Sequence, residues 1–346
     1  MSLPEYRMPA EWESHAATWI AWPHNPEDWP GKFQPIPWVY AEIVRHLSRV
    51  EDVHILVNNE AAERRACTML KRNGANIAKC HFHCWPTDRV WLRDSGPIFV
   101  KRPSGELNIT NWHFNGWAKY DNWRRDDQIP QHVAKLYGMR AIKPEVEERR
   151  LVLEGGSIDV NGAGVLITTE ECLLSEVQQR NPGVSREQLE QAFKEHLGIE
   201  QVIWLHRGCA GDDTHGHVDD ITRFVGPNKI LTAVERNMRD ENHLPLAENL
   251  ARLHAARNLA GEPYEIVTLP MPSPVYFEGQ RLPASYANFY IANGLVIVPT
   301  FNDPNDRHAL NIIANCFPER EVVGIHAVDL VWGLGTLHCL SQQEPA

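Results

Sequence analysis

The chain has 346 residues, 43% of them hydrophobic, with 34 Lys and Arg against 45 Asp and Glu for a formal net charge of −11. That is an ordinary globular composition, long enough for two domains or one large one. The acidic balance, with no Lys/Arg stripe, excludes a protein that tracks nucleic-acid phosphates and leaves small cationic ligands open. No window approaches the roughly 20 apolar residues of a membrane helix. The opening stretch, Met1 to Trp22, carries Glu5, Glu11 and Glu13 where a leader would be basic and then apolar. Seven scattered cysteines, without a Cys-x-x-Cys pair, suit a reduced compartment. A cytoplasmic protein is therefore expected, with no membrane or nucleic-acid partner; assembly into homo-oligomers stays open.

In chain order, hydrophobic period separates helices from strands. Trp38 to Leu47 reads as a helix, Val53 to Val57 as a strand, Glu60 to Arg72 as a helix, and Lys79 to Trp85 and Gly96 to Val100 as strands. A helix over Gln128 to Tyr137 precedes a strand over Gly164 to Thr168. The next helix, Ser185 to His196, is opened by Ser185 with Gln188 three residues on, a capping-box pattern. Strands Gln201 to His206 and Lys229 to Val234, a helix over Leu244 to Leu259, and strands Glu265 to Leu269 and Leu295 to Pro299 follow. A helix over Asp306 to Cys316 and a strand over Glu321 to His326 complete an α/β chain.

A weak internal repeat runs through this order. Arg93 to Val100, Glu154 to Val160, His217 to Val225 and Tyr286 to Ile291 each place a polar residue before a strand and lead to a further strand and a helix. From Asp94 to Glu154 is 60 residues and from Glu154 to His217 is 63, just above the usual period of repeat arrays. Such units bury a shared core by radial repetition. A fifth unit needs both termini, with Cys339 in the polar place and the strand Thr18 to Trp22 supplied from the front.

The chemistry-bearing side chains fall at these positions. Cys339 follows a Gly-rich turn; it is either a small buried apolar residue or a nucleophile needing a cationic or hydrogen-bonding neighbour. The densest cluster is Gly211 to Asp220. If His217 to Val225 is a strand, His217 and Asp219 share one face, where an imidazole and a carboxylate suit proton transfer and cation binding. A solvated acidic loop, or zinc held by His215, His217 and Asp219, competes with that role. Asp94 and Glu154 stand at strand starts beside glycine, where a turn or helix-end role competes with ligand binding, and Trp91 has core packing as its bland role. Together, several carboxylates, one His and one Cys imply a positive ligand, because carboxylates repel a thiolate unless a cation lies between them. A guanidinium fits, since its planar fork pairs with carboxylates in bidentate fashion.

On these residues the sequence resembles the agmatine deiminases, a group related to bacterial peptidylarginine deiminases within the guanidino-group-modifying (pentein) superfamily. The resemblance spans nearly the whole chain: Met8 to Glu13, Thr18 to Pro23, Trp91 to Asp94, Glu154 to Gly156, Asp213 to Asp219, Asn302 to Pro304 and Gly335 to Gln343, whose Cys-x-x-Gln-Gln tail favours the agmatine branch. It implies a single domain over 1–346, a five-bladed α/β propeller of ββαβ-type units with pseudo-fivefold symmetry. It implies Cys339 as nucleophile, His217 as acid/base, Asp94 and Asp219 as guanidinium-gripping carboxylates and Glu154 as a further motif acid. Trp91 and Asp213 then face the substrate's alkyl chain and distal amine, and no metal or organic cofactor is expected. The implied reaction converts agmatine to N-carbamoylputrescine and ammonia, a step of putrescine synthesis, through a Cys-bound amidino intermediate. Free arginine or a peptide C-terminal arginine would undergo the same chemistry, and an amine in place of water would turn hydrolysis into amidino transfer. A non-catalytic or zinc-dependent guanidino binder would use the same loop for a different purpose. The sequence departs from the family pattern at His215, where Asp or Asn is usual, and at Leu334 to Thr336, where a Gly-Gly-Asn-like stretch is usual.

Overall fold

The computed structural model describes residues 5–346. The chain opens with strand β1 (His15–Ala21), helix α1 (Ile36–Leu47), strand β2 (Asp52–Leu56), helix α2 (Glu60–Arg72) and strand β3 (Cys80–His83), the three strands running parallel. A one-turn helix α3 (Leu92–Ser95) leads into antiparallel β4 (Ile98–Lys101) and β5 (Leu107–Thr110), then helix α4 (Ile129–Tyr137) and β6 (Ala141–Ile142), parallel to β5. After a small hairpin of β7 (Glu145–Val146) and β8 (Arg149–Arg150), the same order returns. Antiparallel β9 (Asp159–Val160) and β10 (Val165–Thr169) are followed by α5 (Glu170–Leu174), α6 (Arg186–Leu197) and the parallel strand β11 (Gln201–Leu205). Next come antiparallel β12 (Thr222–Gly226) and β13 (Lys229–Val234), helix α7 (His243–Ala255) and parallel β14 (Glu265–Pro270). A second small hairpin, β15 (Tyr276–Phe277) and β16 (Gln280–Arg281), separates these from antiparallel β17 (Tyr290–Ala292) and β18 (Leu295–Thr300), helix α8 (Asp306–Cys316) and parallel β19 (Glu321–His326). The last strand, β20 (Ser341–Pro345), pairs antiparallel with β1. Five sheets thus repeat one ββαβ order, and the sheet expected to need both termini is built from them.

Local signals explain the elements. Helix α2 starts where the Asn59 side chain accepts the Ala62 N–H, and it buries Ala62, Ala66 and Leu70, four residues apart on one face. Helix α6 has the expected capping box between Ser185 and Gln188; it buries Leu189, Ala192, Phe193 and Leu197 and stops at Gly198, whose φ of 72° is left-handed. The helix expected to reach Leu259 ends at Ala255. There the chain turns extended at Ala256, and the Arg257 guanidinium takes the carbonyls of His254, Ala255 and Ala256.

A second difference matters for function. The strand expected over His217 to Val225 starts only at Thr222, because Val218–Asp220 forms a 3-10 turn. Asp212 Oδ2 accepts the N–H groups of Gly216 and His217 at 2.8 and 3.0 Å, and such side-chain bonds compete with a strand ladder. Asp94 likewise lies on α3, and Glu154 directly precedes a 3-10 turn at Gly155–Ser157. The polar residues therefore sit on helical turns at the mouths of the sheets, not on the strands themselves.

Between the sheets lies a buried ionic centre. Arg223, fully enclosed, donates to Asp159 Oδ2 at 2.6 Å, Glu11 Oε2 at 2.8 Å and the Phe289 carbonyl at 2.6 Å. These partners come from β9, the N-terminal segment and the lead-in to β17. Truncating one member of such a network strands the opposite charges in low dielectric, at a cost of about 3–5 kcal/mol. Arg223→Ala is expected to lose that much in urea unfolding, and a loss under about 1 kcal/mol would show that the sheets are held without it.

Candidate active site

A cavity of about 220 Å³ is lined by Trp91, Asp94, Trp117, Tyr120, Asp213 and Cys339, among others. The chain reaches Cys339 through a 3-10 turn, Leu330–Gly333, that ends on Leu334 with φ 67°. Gly335 then passes against the Trp91 ring, where an added Cβ would lie 2.8 Å from its nearest carbon. Asn288, from the turn before β17, organises the loop that carries Cys339. Its Nδ2 donates to Cys339 Sγ at 3.1 Å and to Asp220 Oδ1 at 3.0 Å, while its Oδ1 accepts the Thr336 hydroxyl at 2.6 Å and the His338 N–H at 3.0 Å. Thr336, at one of the departures from the family pattern, thereby supplies a bond that holds the loop. The Cys339 thiol donates to Asp219 Oδ2 at 3.7 Å. Burial, then Asp219, Asp220 and Asp94, push this thiol well above its ordinary value, so it is protonated in the ligand-free site.

Asp219 and Glu154 are each half pinned and half available, whereas both oxygens of Asp94 accept a hydrogen bond. Asp219 Oδ2 accepts from His338 Nδ1 at 2.7 Å, whereas Oδ1 is buried without a partner among the described residues. The other ring nitrogen of His338 lies 2.7 Å from Glu11 Oε2, so the ring bridges two carboxylates. Burial would raise Asp219, but the His338 hydrogen bond and charge, with His217 and Arg223, hold it below the usual carboxylate range. Its neighbour Asp220 is pushed well up by burial and by Asp219. Glu154 Oε1 accepts from Arg180 Nε at 3.0 Å, and Oε2 stands 3.8 Å from His217 Nε2. Despite burial, Arg180 and His217 hold Glu154 down to about 2. Asp94 accepts from Trp117 Nε1 at 2.9 Å and from the Gly156 N–H at 3.0 Å; burial raises it to about 6.

His217 is fully enclosed, its Nδ1 3.7 Å from Asp94 Oδ1. Burial disfavours its charged form, yet Asp94, Cys172 and Glu154 hold it well above the ordinary histidine range, as an imidazolium. Gly156 faces the middle of the group: an added Cβ would lie 2.6 Å from His217 Nδ1, 2.8 Å from Asp94 Oδ1 and 3.1 Å from Asp219 Oδ2. A cationic imidazole, a neutral thiol and carboxylates with exposed lone pairs thus surround one small space. That arrangement has the charges and donors that a planar cation and a leaving amine require.

The structure brings Cys339, His217, Asp94, Asp219 and Glu154 together, and it puts Trp91 and Asp213 on the cavity wall beside Cys339. Asp213 is not an open acid, however, because it pairs with Lys119 and accepts Tyr120 Oη at 2.6 Å. His215 turns away onto Ser175 Oγ with φ 64°, a left-handed conformation in which His, like Asp and Asn, is enriched, and it joins neither metal-compatible cluster among the described residues, Glu154/Cys172/His217 and Asp219/Asp220/Cys339. Sequence reasoning passes over Asn288, His338, Glu11, Arg180 and Trp117. Asn288 stands in the fourth repeat segment at the place of the other units' polar residues, and Glu11 and His338 lie in the motif stretches Met8 to Glu13 and Gly335 to Gln343, signals that could have found them; Arg180 and Trp117 carry none.

Residues 7–345 match the model of the Porphyromonas-type peptidyl-arginine deiminases. The agmatine deiminase of Ectopseudomonas mendocina is 35% identical over 364 aligned positions, covering 99% of this chain and 96% of the relative. The solved structure of Enterococcus faecalis agmatine deiminase is 29% identical with a TM-score of 0.89, over 99% of this chain and 96% of that one. A substrate-bound Cys-to-Ser variant of the C. jejuni agmatine deiminase is similar at 29% identity and a TM-score of 0.88, with the same coverage.

Proposed function

Because this chain belongs to the Porphyromonas-type peptidyl-arginine deiminase family, we propose that it hydrolyses agmatine to N-carbamoylputrescine and ammonia, using Cys339 as nucleophile. The observation that carries the reading is the thiol set against partly unpartnered carboxylates and an imidazolium. Asp94 and Asp219 take the guanidinium, and Trp91 borders its alkyl chain. The arriving cation offsets the acids that keep Cys339 protonated, so the thiol gives its proton up to solvent when substrate is bound, and its sulfur faces the guanidinium carbon. The thiolate adds to that carbon, His217 gives its proton to the departing ammonia, and an amidino group stays on sulfur. His217, now neutral, takes a proton from water as the hydroxide adds to the same carbon; the C–S bond breaks to restore the thiolate, and the remaining hydroxyl proton leaves to solvent, where ammonia takes it up as ammonium, so that the neutral ureido product is released. Glu154, fixed by Arg180, steadies the imidazolium from its Nε2 side. In the family's terms this is a step of putrescine synthesis.

We also infer that the five sheets form one domain, an α/β propeller about a pseudo-fivefold axis. Its support is the repeated ββαβ order, closed by β20 on β1, with turns from different sheets meeting around Cys339. Seven free cysteines agree with a reducing cytoplasm, and no helix of the described residues is long and apolar enough to cross a membrane.

Release of ammonia and ureido product is to be measured with agmatine, free arginine and a peptide ending in arginine. Turnover of agmatine above the other two is the expected result; preference for arginine would overturn it. The pH profile follows from Asp94. Its carboxyl must be ionised to grip a cation, and kcat/KM reports the free enzyme. Since burial raises Asp94 to about 6, kcat/KM is expected to fall about tenfold per pH unit below that point. Trp117→Phe removes a hydrogen bond to the charged form and should move this limb upward; an acid limb near the ordinary carboxylate value in both proteins would release Asp94 from the role.

A further inference from the structure

At the cavity mouth an ion pair stands outside the mechanism just derived. Asp213, the acid facing the distal amine, is already occupied by the Lys119 ammonium, with Tyr120 Oη as a second donor. The Lys119 side chain is 41% exposed and that of Asp213 18%, so the cation stands toward water and the acid in the wall. Lys119 and Tyr120 lie on one tight loop in which Gly116, Trp117 and Ala118 have φ of 66, 58 and 54°. At Gly116 an added Cβ would lie 2.6 Å from the Tyr120 carbonyl oxygen, so the turn requires glycine for space as well as conformation. Trp117 of this loop donates to Asp94, and Gln178 Nε2 bridges the carbonyls of Trp117 and Asp213 at 3.2 and 3.1 Å. One rigid loop therefore touches the acid at each end of the substrate site.

The neighbouring cation is otherwise committed. Arg89 donates to Asp28 at 2.9 Å and to Asn122 at 3.1 Å, with its guanidinium 4.0 Å from the Tyr120 ring centre. Lys119, by contrast, has Asp213 as its one carboxylate partner among the described residues, and its flexible stem can swing into solvent.

We propose that Lys119 is an intramolecular placeholder for the substrate's distal ammonium, displaced from Asp213 when agmatine binds. The proposal rests on the reading of Asp213 as the amine-binding acid. Exchange of one ammonium for another leaves the charge at Asp213 balanced throughout, so the acid is held in place without substrate. It also lowers apparent affinity, because agmatine must first break the resident pair. A half-exposed ion pair corresponds to up to about a fivefold change in affinity. A guanidine with an uncharged alkyl tail has no means of displacing Lys119 and gains nothing from its removal.

The test is steady-state kinetics of the full chain and its Lys119→Met and Lys119→Arg variants, with agmatine and with pentylguanidine. In Lys119→Met the KM for agmatine is expected to fall about two- to fivefold with kcat little changed, while Lys119→Arg keeps the parent KM and pentylguanidine shows no difference among the three. An unchanged or higher KM for agmatine in Lys119→Met overturns the placeholder. If the parent protein turns over arginine instead, the reading of the reaction fails separately, and a rise in KM for arginine on loss of Lys119 would assign that cation to the substrate carboxylate. Calorimetric titration of agmatine into Cys339→Ala, with and without Lys119→Met, makes the comparison without turnover. No tightening there overturns the proposal whatever the chemistry.

Discussion

Cys339→Ala is expected to lose agmatine turnover by at least about 10⁴-fold, the scale on which removal of a nucleophile acts when it works as a unit with its acid/base. Its stability is expected to stay within about 1 kcal/mol of the parent. Both outcomes follow from the resting site. Burial and the acids Asp219, Asp220 and Asp94 keep the thiol neutral, so alanine removes no buried charge. What disappears is the group, in contact with both Asn288 and Asp219, that forms the bond to the guanidinium carbon in the proposed reaction. The imidazolium of His217 remains, but a proton donor without a nucleophile does not split the guanidinium. Ammonia release at saturating agmatine, read beside a urea melt, checks both halves. Turnover close to that of the parent would move the attack to a water molecule and retire the covalent intermediate.

Gly156→Ala is the second large effect, and it comes from a residue that makes no bond to substrate. The added methyl would sit 2.6 Å from His217 Nδ1, 2.8 Å from Asp94 Oδ1 and 3.1 Å from Asp219 Oδ2, in the space that these three groups share. None of them has room to retreat: His217 and Asp219 are fully enclosed, and Asp94 is tied to Trp117. The backbone at Gly156 is not in the left-handed region, so the consequence is crowding and not strain of φ. Overpacking of this kind destabilises by about 1–3 kcal/mol. Its larger effect is on positioning, where displacement of about 1 Å costs on the order of 100-fold. The variant should fold with a lowered Tm and lose at least about 100-fold in kcat/KM, mostly through KM. Parent-like kinetics would mean that the guanidinium lies elsewhere in the cavity.

Much of the fold is legible in the sequence because period and capping are local. Helices over residues 60–72 and 306–316 and strands over 229–234 and 321–326 have the bounds that apolar spacing predicts, and the Ser185/Gln188 box marks the start of its helix. The repeat is legible too, including the strand that the front of the chain lends to the last unit. Alternation along a strand, by contrast, is the wrong reason for His217 and Asp219 to act together. They do not share a strand face; a 3-10 turn held by Asp212 carries both inward.

The composition, the alternation of helix and strand, the polar position recurring in each unit and the motifs around Asp94, Glu154, His217 and Cys339 were all determined by the sequence itself. Each depends on residues within a few turns of one another. What those residues do to each other depends on how the fold packs them. His338, next to Cys339 in the chain, meets Glu11 from the opposite end and pins Asp219; Asn288 from another sheet holds the sulfur; Lys119 occupies Asp213, the acid expected to face a distal amine. A charge acts through a few ångströms of low-dielectric space. Which carboxylate is ionised, and which is left a free lone pair, is therefore set by neighbours that sequence separation does not reveal.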